Sequence, residues 1–405
     1  MDPNPVALPT IPSPAPNSHV MTFASLMSLL DHLHTGAINH LDGRSSQRHY
    51  ASLLKRAPLP PVHLSAAERA TYRRKWDRFN TRYTLRDFEL FSRYIGKDPN
   101  IVPECLSHAC IEPVLNPVEY RAYYEDKNTY DRIFPPGTAP ETVLRCLNGM
   151  IYDRHYRPIP ALTDDSLLER CAKHEGVIVK PTVDSGSGRG VLLFRRRNTG
   201  FVHSVNGNIS LSVGFLRENC GTNFIIQQQL HQSPYLAQFN ASSVNTLRLL
   251  VYRSVVDETI HVINAVLRVG KKGSHLDNAH AGGVFLGIDP EGRLTRFCCN
   301  EFGEVCDRVN DVRLDQHELR IPDFSEIKRY VSETFRHVLH HRCLSVDLAI
   351  DSQHRPVVIE FNLGSLSTWL WQFTSSACFG DFTDEIIDHC VAHRSEARKV
   401  YSIRN

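Results

Sequence analysis

The stretch VIVKPTVDSGSGRGVLLF, residues 177–194, joins two runs rich in β-branched and apolar residues through a segment of glycine and serine. Three glycines lie in that segment: Gly186, Gly188 and Gly190. Two such runs separated by glycine predict two strands of a hairpin. The bare amides of the loop can approach phosphate oxygens closely, and Lys180 at the end of the first run would add a positive charge. A flexible hairpin tip without a ligand is the alternative, because turns use glycine and serine anyway.

Three common nucleotide-binding motifs do not fit this loop. The GxxxxGK[ST] pattern of the Walker type is absent from the sequence. The spacing is GxGxG rather than GxGxxG, and a second strand rather than a long helix is predicted to follow. The HRD and DFG motifs of protein kinases are also missing. The remaining interpretation is a glycine-rich hairpin between strands.

A second predicted hairpin, LSVDLAIDSQHRPVVIEFN over residues 344–362, carries acidic side chains. If it is symmetric and free of bulges, Asp347 faces Glu360 and Ser345 faces Asn362 on one side of the sheet. The apolar residues then share the other side: Val346, Leu348, Ile350, Val357, Ile359 and Phe361. Like charges placed directly opposite destabilise a hairpin. A divalent cation bound by both carboxylates and the amide oxygen of Asn362 would remove that repulsion, whereas a solvated acidic face is the alternative.

The two hairpins are best explained together. A metal at the acidic hairpin would bridge the phosphates that the glycine loop covers. The sequence therefore predicts a phosphate-binding loop and a Mg²⁺ site that act on one bound nucleotide.

Composition limits the classes of partner. The chain has 405 residues, of which 41% are hydrophobic and 22% charged, as in an ordinary globular enzyme. Lys and Arg total 46 against 44 Asp and Glu, which is too balanced for a nucleic-acid-binding protein. No apolar run approaches the ~20 residues of a membrane span, and the first residues lack the features of a signal peptide. The eleven cysteines are scattered without a CxxC pair, and we expect a cytoplasmic protein.

The chain is predicted to divide into four parts. Residues 1–18 contain six prolines and form a predicted disordered tail. Residues 19–115 are rich in helix-forming residues, and Ser65 and Glu68 have the spacing of a capping box. A subdomain over 116–230 would carry the glycine loop, and another over 231–405 would carry the substrate and metal site.

Short strand-like runs follow from residue 177 onward, which predicts an α+β fold with a largely antiparallel sheet. The runs are VIVK, VLLF, NISLSV, FIIQ, LRLLVY, HVINAVLRV, GGVFLGI, LSVDLAI and PVVIEF. One helix between them is indicated by apolar residues at helical period. These residues are Ile327, Tyr330, Val331, Phe335, Val338 and Leu339.

Taken in order, several segments resemble the ATP-grasp superfamily, and within it the sugar-transfer associated ATP-grasp family, often encoded near polysaccharide biosynthesis functions. The resemblance covers roughly residues 85–375 and implies two α/β subdomains that grip ATP. The segments are YEDKNTYDRIFP (124–135), VIVKPTVDSGSGRGV (177–191), FIIQQQL (224–230), SVNTLRLLVY (243–252), LRVGKKGSHLDNAHAGGVFLGID (267–289), VDLAID (346–351) and VVIEFN (357–362).

The resemblance also implies roles for individual residues around ATP. Lys127 and Lys180 would contact the phosphates. The glycine loop would close over them with Ser185, Gly186, Ser187, Gly188 and Gly190. Gln227 stands where many ATP-grasp proteins have a glutamate that accepts from the adenine amino group, and an amide oxygen can do the same. Backbone groups of Gln228, Gln229 and Leu230 would complete the adenine edge.

Further roles concern the metal and the substrate. Asp347, Glu360 and Asn362 match the family's magnesium ligands. Arg248 would act with Lys180 as a catalytic cation or anchor an anionic substrate, although it could also be an ordinary strand-surface arginine. Lys271, Asp277 and Asn278 lie in a polar segment suited to substrate binding, with a solvated connection as the alternative. Trp369 and Trp371 would either cover the site or pack in the core.

The expected activity is that of an ATP- and Mg²⁺-dependent ligase. It would activate a small-molecule carboxylate as an acyl phosphate and join it to an amine or a sugar nucleophile, in polysaccharide or cell-surface glycan biosynthesis. A small-molecule kinase of the same fold and a non-catalytic nucleotide-binding protein of a glycan assembly system are the alternatives. We expect no nucleic-acid partner and no membrane span, and either a homodimer or a glycan-biosynthesis partner.

Overall fold

The computed structural model describes residues 43–183, 188–273 and 282–397. The predicted tail over 1–18 and the first part of the predicted helical region, residues 19–42, lie outside these ranges. The predicted domain boundaries stay predictions. The predicted α+β class with antiparallel sheets is confirmed, because helices precede and flank two sheets in which all neighbouring strands are antiparallel.

Helices form the described part of the N-terminal region. They are α1 (43–56), α2 (Ala66–Trp76), α3 (Arg86–Ile95), α4 (Glu104–Leu106) and α5 (Glu112–Leu115), with a π-helical turn over Ser107–Ile111. The predicted capping box is confirmed at the start of α2. The backbone N–H of Glu68 donates to Ser65 Oγ at 3.2 Å, and the N–H of Ser65 donates to Glu68 Oε2 at 2.7 Å. Two of the N–H groups at the start of the helix are therefore satisfied by side chains.

The first sheet has six strands in the order β2-β1-β6-β3-β4-β5. Short helices α6 (Arg121–Glu125) and α7 (Tyr130–Ile133) precede it. Its strands are β1 (Thr142–Leu147), β2 (Met150–Asp153), β3 (Gly176–Pro181), β4 (Leu192–Arg197), β5 (Gly200–His203) and β6 (Phe224–Gln228). Helices α8 (Asp164–Cys171) and α9 (Val213–Asn219) share an apolar core with this sheet.

One predicted strand of this region is wrong. The run NISLSV, residues 208–213, makes a single isolated bridge at Ser210 and then enters α9. The helix begins there because Ser212 adopts an extended conformation and its hydroxyl accepts a hydrogen bond from the N–H of Phe215 at 3.1 Å. A local capping bond thus outweighs the strand propensity of the run.

The second sheet has seven strands in the order β11-β10-β9-β8-β7-β14-β15. After α10 (Pro234–Ala237), its strands are β7 (Thr246–Arg253), β8 (Ile260–Val269), β9 (Val284–Gly287), β10 (Cys298–Cys299), β11 (Val305–Cys306), β14 (Cys343–Ile350) and β15 (Pro356–Asn362). A two-stranded ribbon pairs β12 (Arg308–Val309) with β13 (Val312–Arg313). The remaining helices are α11 (Phe324–Phe335), α12 (Thr368–Gln372) and α13 (Thr383–Ala392).

Helices cover both faces of the second sheet. Residues Ile327, Val331 and Phe335 of α11 are buried in the core on one face, which confirms the predicted helix. Val338 and Leu339, also assigned to that helix, lie beyond its end; Val338 is buried and Leu339 is 71% exposed. On the other face, the N-terminal helices, α12 and α13 form one core with residues of β7, β8 and β9. The N-terminal region is therefore part of the same folded body as the second sheet.

The acidic hairpin of β14 and β15 has the predicted register at its open end. Asp347 pairs with Glu360, and Ser345 pairs with Asn362. The expectation of a bulge-free hairpin is wrong, because the register shifts beyond Asp347 and Leu348 pairs with Val358. Residue 359 is the extra one, so Val358 takes the core position that alternation assigned to Ile359.

Within the described residues, every helix is too short or too polar to cross a bilayer. No group of three or more His, Cys, Asp or Glu side chains in these ranges is arranged to hold a metal ion. The cysteines are free thiols, and nine of the eleven are buried.

Candidate functional site

A cavity of about 1320 Å³ receives side chains from both sheets. The six-stranded sheet and the segment before it contribute one wall, and the seven-stranded sheet contributes the other. Most of the described residues predicted to bind ATP, metal or substrate line it: Lys127, Lys180, Gly188, Gln227, Gln228, Gln229, Leu230, Arg248, Asp347, Glu360 and Asn362. The structure thus brings together residues that are more than 200 positions apart in the sequence.

Lys127 reaches the cavity from a 3₁₀ turn, Lys127–Thr129. The side chain of Asp126 caps this turn by accepting from the N–H of Asn128 at 2.9 Å. The N–H of Lys127 donates to the carbonyl of Thr182 at 3.1 Å, which ties the turn to the end of β3. The fully buried Arg145 donates to the carbonyl of Asn128 at 2.6 Å from below. These bonds hold Lys127 beside the strand end that carries Lys180.

The two lysines are buried close to a carboxylate. Lys127 is 5% exposed and Lys180 is 7% exposed. Lys127 Nζ lies 3.2 Å from Glu360 Oε2. Burial and the charge of Lys127 lower the pKa of Lys180 to about 7, and Glu360 opposes this shift. An anion placed between the lysines would restore the charged form of Lys180, because an opposite charge favours ionisation.

Gln227 leaves one polar atom available in the cavity wall. Its Nε2 donates to the carbonyl of Pro140 at 3.1 Å, which orients the amide. Its Oε1 is buried and has no hydrogen-bond partner among the described residues. A buried acceptor without a partner is costly, and an adenine amino group is a suitable donor for it. This atom and the two buried lysines are the features that fit ATP.

The adjacent residues Gln228 and Gln229 lie at the end of the central strand β6. The N–H groups of Gln228 and Gln229 donate to the carbonyls of Glu141 and Gly176, both at 2.9 Å. These two donors are therefore committed within the protein. Any adenine contact from this segment would have to use other backbone groups, such as those of Leu230.

The glycine loop connects β3 and β4, which pair antiparallel as predicted. Gly188 and Gly190 have φ angles of 72° and 73°, a region that favours glycine. A Cβ atom at Gly190 would lie 2.9 Å from Cγ of Pro181, so only glycine fits this approach. The predicted phosphate-binding residues Ser185, Gly186 and Ser187 lie outside the described residues.

Asp347 is held by two arginines on the opposite wall. Arg248 donates through Nε to Oδ1 and through Nη2 to Oδ2, each at 2.6 Å. Arg268 of β8 donates through Nη1 to Oδ2 at 2.9 Å. Burial would raise the pKa of Asp347, but the two guanidinium groups outweigh it and hold the pKa below its ordinary value. The carboxylate is therefore a neutralised anion at the base of this wall.

Arg268 was not predicted as a site residue. It pairs with Thr246, two residues before Arg248 on the neighbouring strand, so both arginines project from the same face. Alternation along HVINAVLRV indicates on which face of the strand Arg268 lies. The register between β7 and β8, which places Arg268 near Arg248, cannot be derived from either strand alone. Ile359 also lines the cavity, which follows from the bulge.

The oxygen atoms of Asp347, Glu360 and Asn362 are suitable ligands for magnesium, but their arrangement fits a magnesium site only in part. Carboxylate and amide oxygens are the ligands that Mg²⁺ prefers. Glu360 and Asn362 line the cavity, and the Nδ2 atom of Asn362 is buried without a described partner. Both oxygens of Asp347 accept from guanidinium groups, so Asp347 can join a metal only if these bonds open. The expected repulsion between Asp347 and Glu360 is offset by their arginine and lysine partners.

Some predicted substrate residues are not brought to the cavity. Lys271 is exposed and is not among its described lining residues. Asp277 and Asn278 lie outside the described residues. The two tryptophans separate: Trp369 lines the cavity and packs edge-on against Phe285, with ring centroids 5.4 Å apart. Trp371 is fully buried and donates through Nε1 to the carbonyl of Leu366 at 3.1 Å.

Two antiparallel sheets around a cavity with paired lysines, a glycine hairpin and a carboxylate-amide strand define an ATP-grasp protein. The family model for sugar-transfer associated ATP-grasp matches residues 112–381 of the sequence. The chain belongs to this family, which confirms the resemblance and the predicted fold. No curated protein matches the sequence significantly.

Solved structures with a similar backbone fold include the following three proteins. The ATP-grasp ligase PsnB, complexed with a phosphomimetic variant of its minimal precursor, Mg and ADP, has 13% identity and a TM-score of 0.36 over 69% of this chain and 61% of its own. The D-alanine-D-alanine ligase from Coxiella burnetii has 10% identity and a TM-score of 0.36 over 69% and 60%. Biotin carboxylase from Campylobacter jejuni, in a complex named for β,γ-ATP, has 9% identity and a TM-score of 0.40 over 71% and 50%. The matched part thus spans about three fifths of the first two proteins and half of the third.

Proposed function

We propose that this protein is an ATP- and Mg²⁺-dependent ligase that activates a carboxylate and joins it to an amine or another nucleophile. The observation that carries the proposal is one cavity in which buried lysines and an unpartnered Gln227 acceptor face an arginine pair on the opposite wall. Such a cavity has places for adenine, for phosphates and for a second anion.

Lys127, Lys180 and the glycine loop would hold the nucleotide phosphates, and Gln227 Oε1 would accept from the adenine amino group. Glu360 and Asn362 would hold the metal, with Asp347 as a third ligand once its arginine partners move. Bound Mg-ATP would supply the phosphoryl group and the metal charge that neutralises it. The protein's own contribution is positioning and charge neutralisation, and no side-chain nucleophile is required.

The second substrate would bind at the wall of the seven-stranded sheet that carries Arg248 and Arg268, here called the arginine wall. Arg248 is proposed as a catalytic cation, with Arg268 beside it, because guanidinium groups recognise carboxylate and phosphate oxygens well. The substrate carboxylate would gain the phosphoryl group and become an acyl phosphate as ADP leaves. An amine would then attack the acyl carbon, form the new bond and release phosphate. Lys271, Asp277 and Asn278 stay proposed substrate contacts of the neighbouring segment.

The sugar-transfer association in the family's description supports a place in polysaccharide or cell-surface glycan biosynthesis. The partners would then be a small-molecule carboxylate and an amine or amino sugar, handled in the cytoplasm. A homodimer or a glycan-biosynthesis partner is part of the same proposal.

The test is a screen of ATP turnover against carboxylates, amino acids and amino sugars, with ¹⁸O in the carboxylate. We expect ADP together with free phosphate that carries the label, because an acyl phosphate passes one carboxylate oxygen to phosphate. A phosphorylated product with ADP and no free phosphate would identify a kinase instead. ATP binding without turnover for every substrate would favour a non-catalytic nucleotide-binding protein. Arg248→Met serves as the control variant, which should keep ATP binding but lose labelled phosphate.

A further inference from the structure

The loop of residues 363–367, here called the acceptor loop, directly follows the proposed metal ligand Asn362. Gly364, Ser365 and Ser367 of this loop line the cavity, as does Trp369 just after it. The loop directly continues β15 of the seven-stranded sheet, whereas the proposed adenine segment lies at the end of β6 in the six-stranded sheet. Under the proposed function, its backbone would shape the part of the cavity that remains for the second substrate.

A buried carboxylate of the N-terminal helical region holds this loop. Glu112 of α5 is 3% exposed. Its Oε2 accepts from the N–H of Ser365 at 2.8 Å, and its Oε1 accepts from the N–H of Leu366 at 3.3 Å. Hydrogen bonds between backbone N–H groups and a carboxylate are stronger than neutral ones.

Three other residues near Glu112 hold the start of the loop. Asn116 Nδ2 donates to the carbonyl of Leu363 at 3.0 Å, and Glu125 Oε1 accepts from the N–H of Leu363 at 3.3 Å. A Cβ atom at Gly364 would lie 2.8 Å from Nη1 of Arg121, so the guanidinium lies against the loop backbone. Each of these contacts comes from residues 112–125, which lie more than 230 positions before the loop.

The loop needs this support because of its backbone conformation. Ser365 and Ser367 have backbone φ angles of 57° and 53°, which residues other than glycine rarely adopt. Glu112 is itself fixed, since Ser107 Oγ donates to it at 2.9 Å and His108 Nδ1 lies 3.0 Å from it. Burial would lower the pKa of His108, but Glu112 and Glu104 outweigh it and raise the pKa to about 10. A charged His108 thus neutralises the carboxylate that holds the loop.

We propose that Glu112 is a positioning residue that fixes the acceptor loop, so that the N-terminal helical region determines the shape of the second-substrate site. The inference rests on the proposed function for the identity of that site. It assigns the helical region a role in selecting the second substrate rather than in binding ATP. The residue acts through the backbone of Ser365 and Leu366, not by contact with substrate.

The first test measures hydrogen exchange of the acceptor loop, without substrate, in the presence and absence of Mg²⁺ and AMPPNP. In Glu112→Ala, we expect exchange at the Ser365 and Leu366 amides to be roughly 10- to 100-fold faster, because both N–H groups lose a charged acceptor. The matched control is Asp87→Ala. Asp87 is a buried carboxylate of the same helical region whose Oδ1 accepts from the N–H of Glu104 at 3.1 Å, and it has no such bond to the loop. The control should leave loop exchange unchanged.

Glu112→Gln keeps the shape of the side chain and one carbonyl acceptor. It therefore replaces the alanine variant in the exchange test if the alanine variant fails to fold. It should show faster exchange at one of the two amides and a partial rescue of the alanine effect. Equal loop exchange in the parent and in every folded Glu112 variant would overturn the proposal, since the carboxylate would then not hold the loop.

The second test uses the substrates found in the turnover screen. We expect Glu112→Ala to raise KM for the second substrate by about 10-fold while KM for ATP changes less than twofold, because a loosened loop misplaces substrate contacts. An equal loss for both substrates would indicate a general structural role and contradict the proposal. The exchange test needs no turnover, so a failure of the ligase proposal would be distinguishable from a failure of this inference.

Discussion

On the wall built by the six-stranded sheet, Lys180 is buried with its pKa lowered to about 7, and Gln227 Oε1 has no partner among the described residues. On the wall built by the seven-stranded sheet, Asp347 accepts three hydrogen bonds from Arg248 and Arg268. The first wall thus holds a buried ammonium group that lacks a close counter-charge among the described residues, whereas on the second wall two guanidinium groups compensate the buried carboxylate. Glu360 stands between them, because it belongs to the second sheet but pairs with Lys127 of the first wall.

The difference concerns what a ligand must do at each wall. We call the wall with Lys127 and Lys180 the lysine wall. An anion bound there lowers the free-energy cost of keeping Lys180 charged and buried, because an opposite charge stabilises an ammonium group. An anion at the arginine wall must instead compete with the carboxylate of Asp347. We therefore expect nucleotide binding to be favourable in the free protein, and binding at the arginine wall to require a rearrangement of ion pairs.

The largest expected effect is that of Glu360→Gln, which removes the charge between the two walls. Turnover should fall by roughly 100-fold or more, and the Mg-ATP-induced rise in melting temperature should disappear, because a proposed metal ligand is lost. Without metal, we expect a small decrease in melting temperature, since the Lys127 ion pair is broken. Turnover assays and thermal melts measure both, with Glu326→Gln on the exposed side of α11 as the control. A retained Mg-ATP shift and activity would remove Glu360 from the metal site.

The next effect concerns the lysine wall alone. Lys180→Met should weaken ATP binding by about 100-fold, because it removes a buried phosphate counter-charge while keeping the length of the apolar stem. Its melting temperature without ATP should equal or exceed that of the parent, since a buried charge is removed. Calorimetric titration with ATP measures the affinity, and the exposed Lys173→Met is the control. Normal affinity in Lys180→Met would show that the lysine wall does not bind phosphate.

Asp347→Asn tests the wall that carries Arg248 and Arg268. Without ligand, it should destabilise the protein by about 2–4 kcal/mol, because two partly buried guanidinium groups lose their counter-charge. Added inorganic phosphate should then raise the melting temperature of the variant more than that of the parent, since the anion replaces the missing carboxylate. Equal phosphate effects on both proteins would mean that the arginine wall is not an anion site.

The smallest effect is a pH dependence. Because the pKa of Lys180 is about 7 without ligand and phosphate should raise it, ATP binding between pH 7 and 9 should take up protons. ATP affinity should therefore fall by up to about 10-fold as pH rises across this range, since protonation of Lys180 becomes part of the binding cost. Calorimetry in buffers of different ionisation enthalpy measures the uptake. Lys180→Met should lose it, and an unchanged uptake in that variant would assign the proton to another group.

Much of the fold can be predicted from local patterns in the sequence. The glycine hairpin was predicted because β-branched runs flank it, and the facing of Asp347 and Glu360 followed from simple alternation. Strands β1, β2, β5 and β10 to β13 were not predicted. Apart from the six-residue β1, these strands have only two to four residues, so their strand character comes mainly from pairing with neighbours.

The sequence by itself determined the family, the order of the two hairpins and the main charged and amide residues of the cavity, because motif spacing and strand alternation are local properties. Only the tertiary structure decided the bulge that turns Ile359 into the cavity, the pairing of Arg268 with Asp347, and the hold of Glu112 on Ser365. These contacts join residues 79 and 253 positions apart, or depend on how one strand shifts against another. The ion pairs of Asp347 and the hydrogen bonds from Glu112 to the acceptor loop depend on the order of the strands and on the packing of elements distant in sequence. No local sequence pattern predicts them.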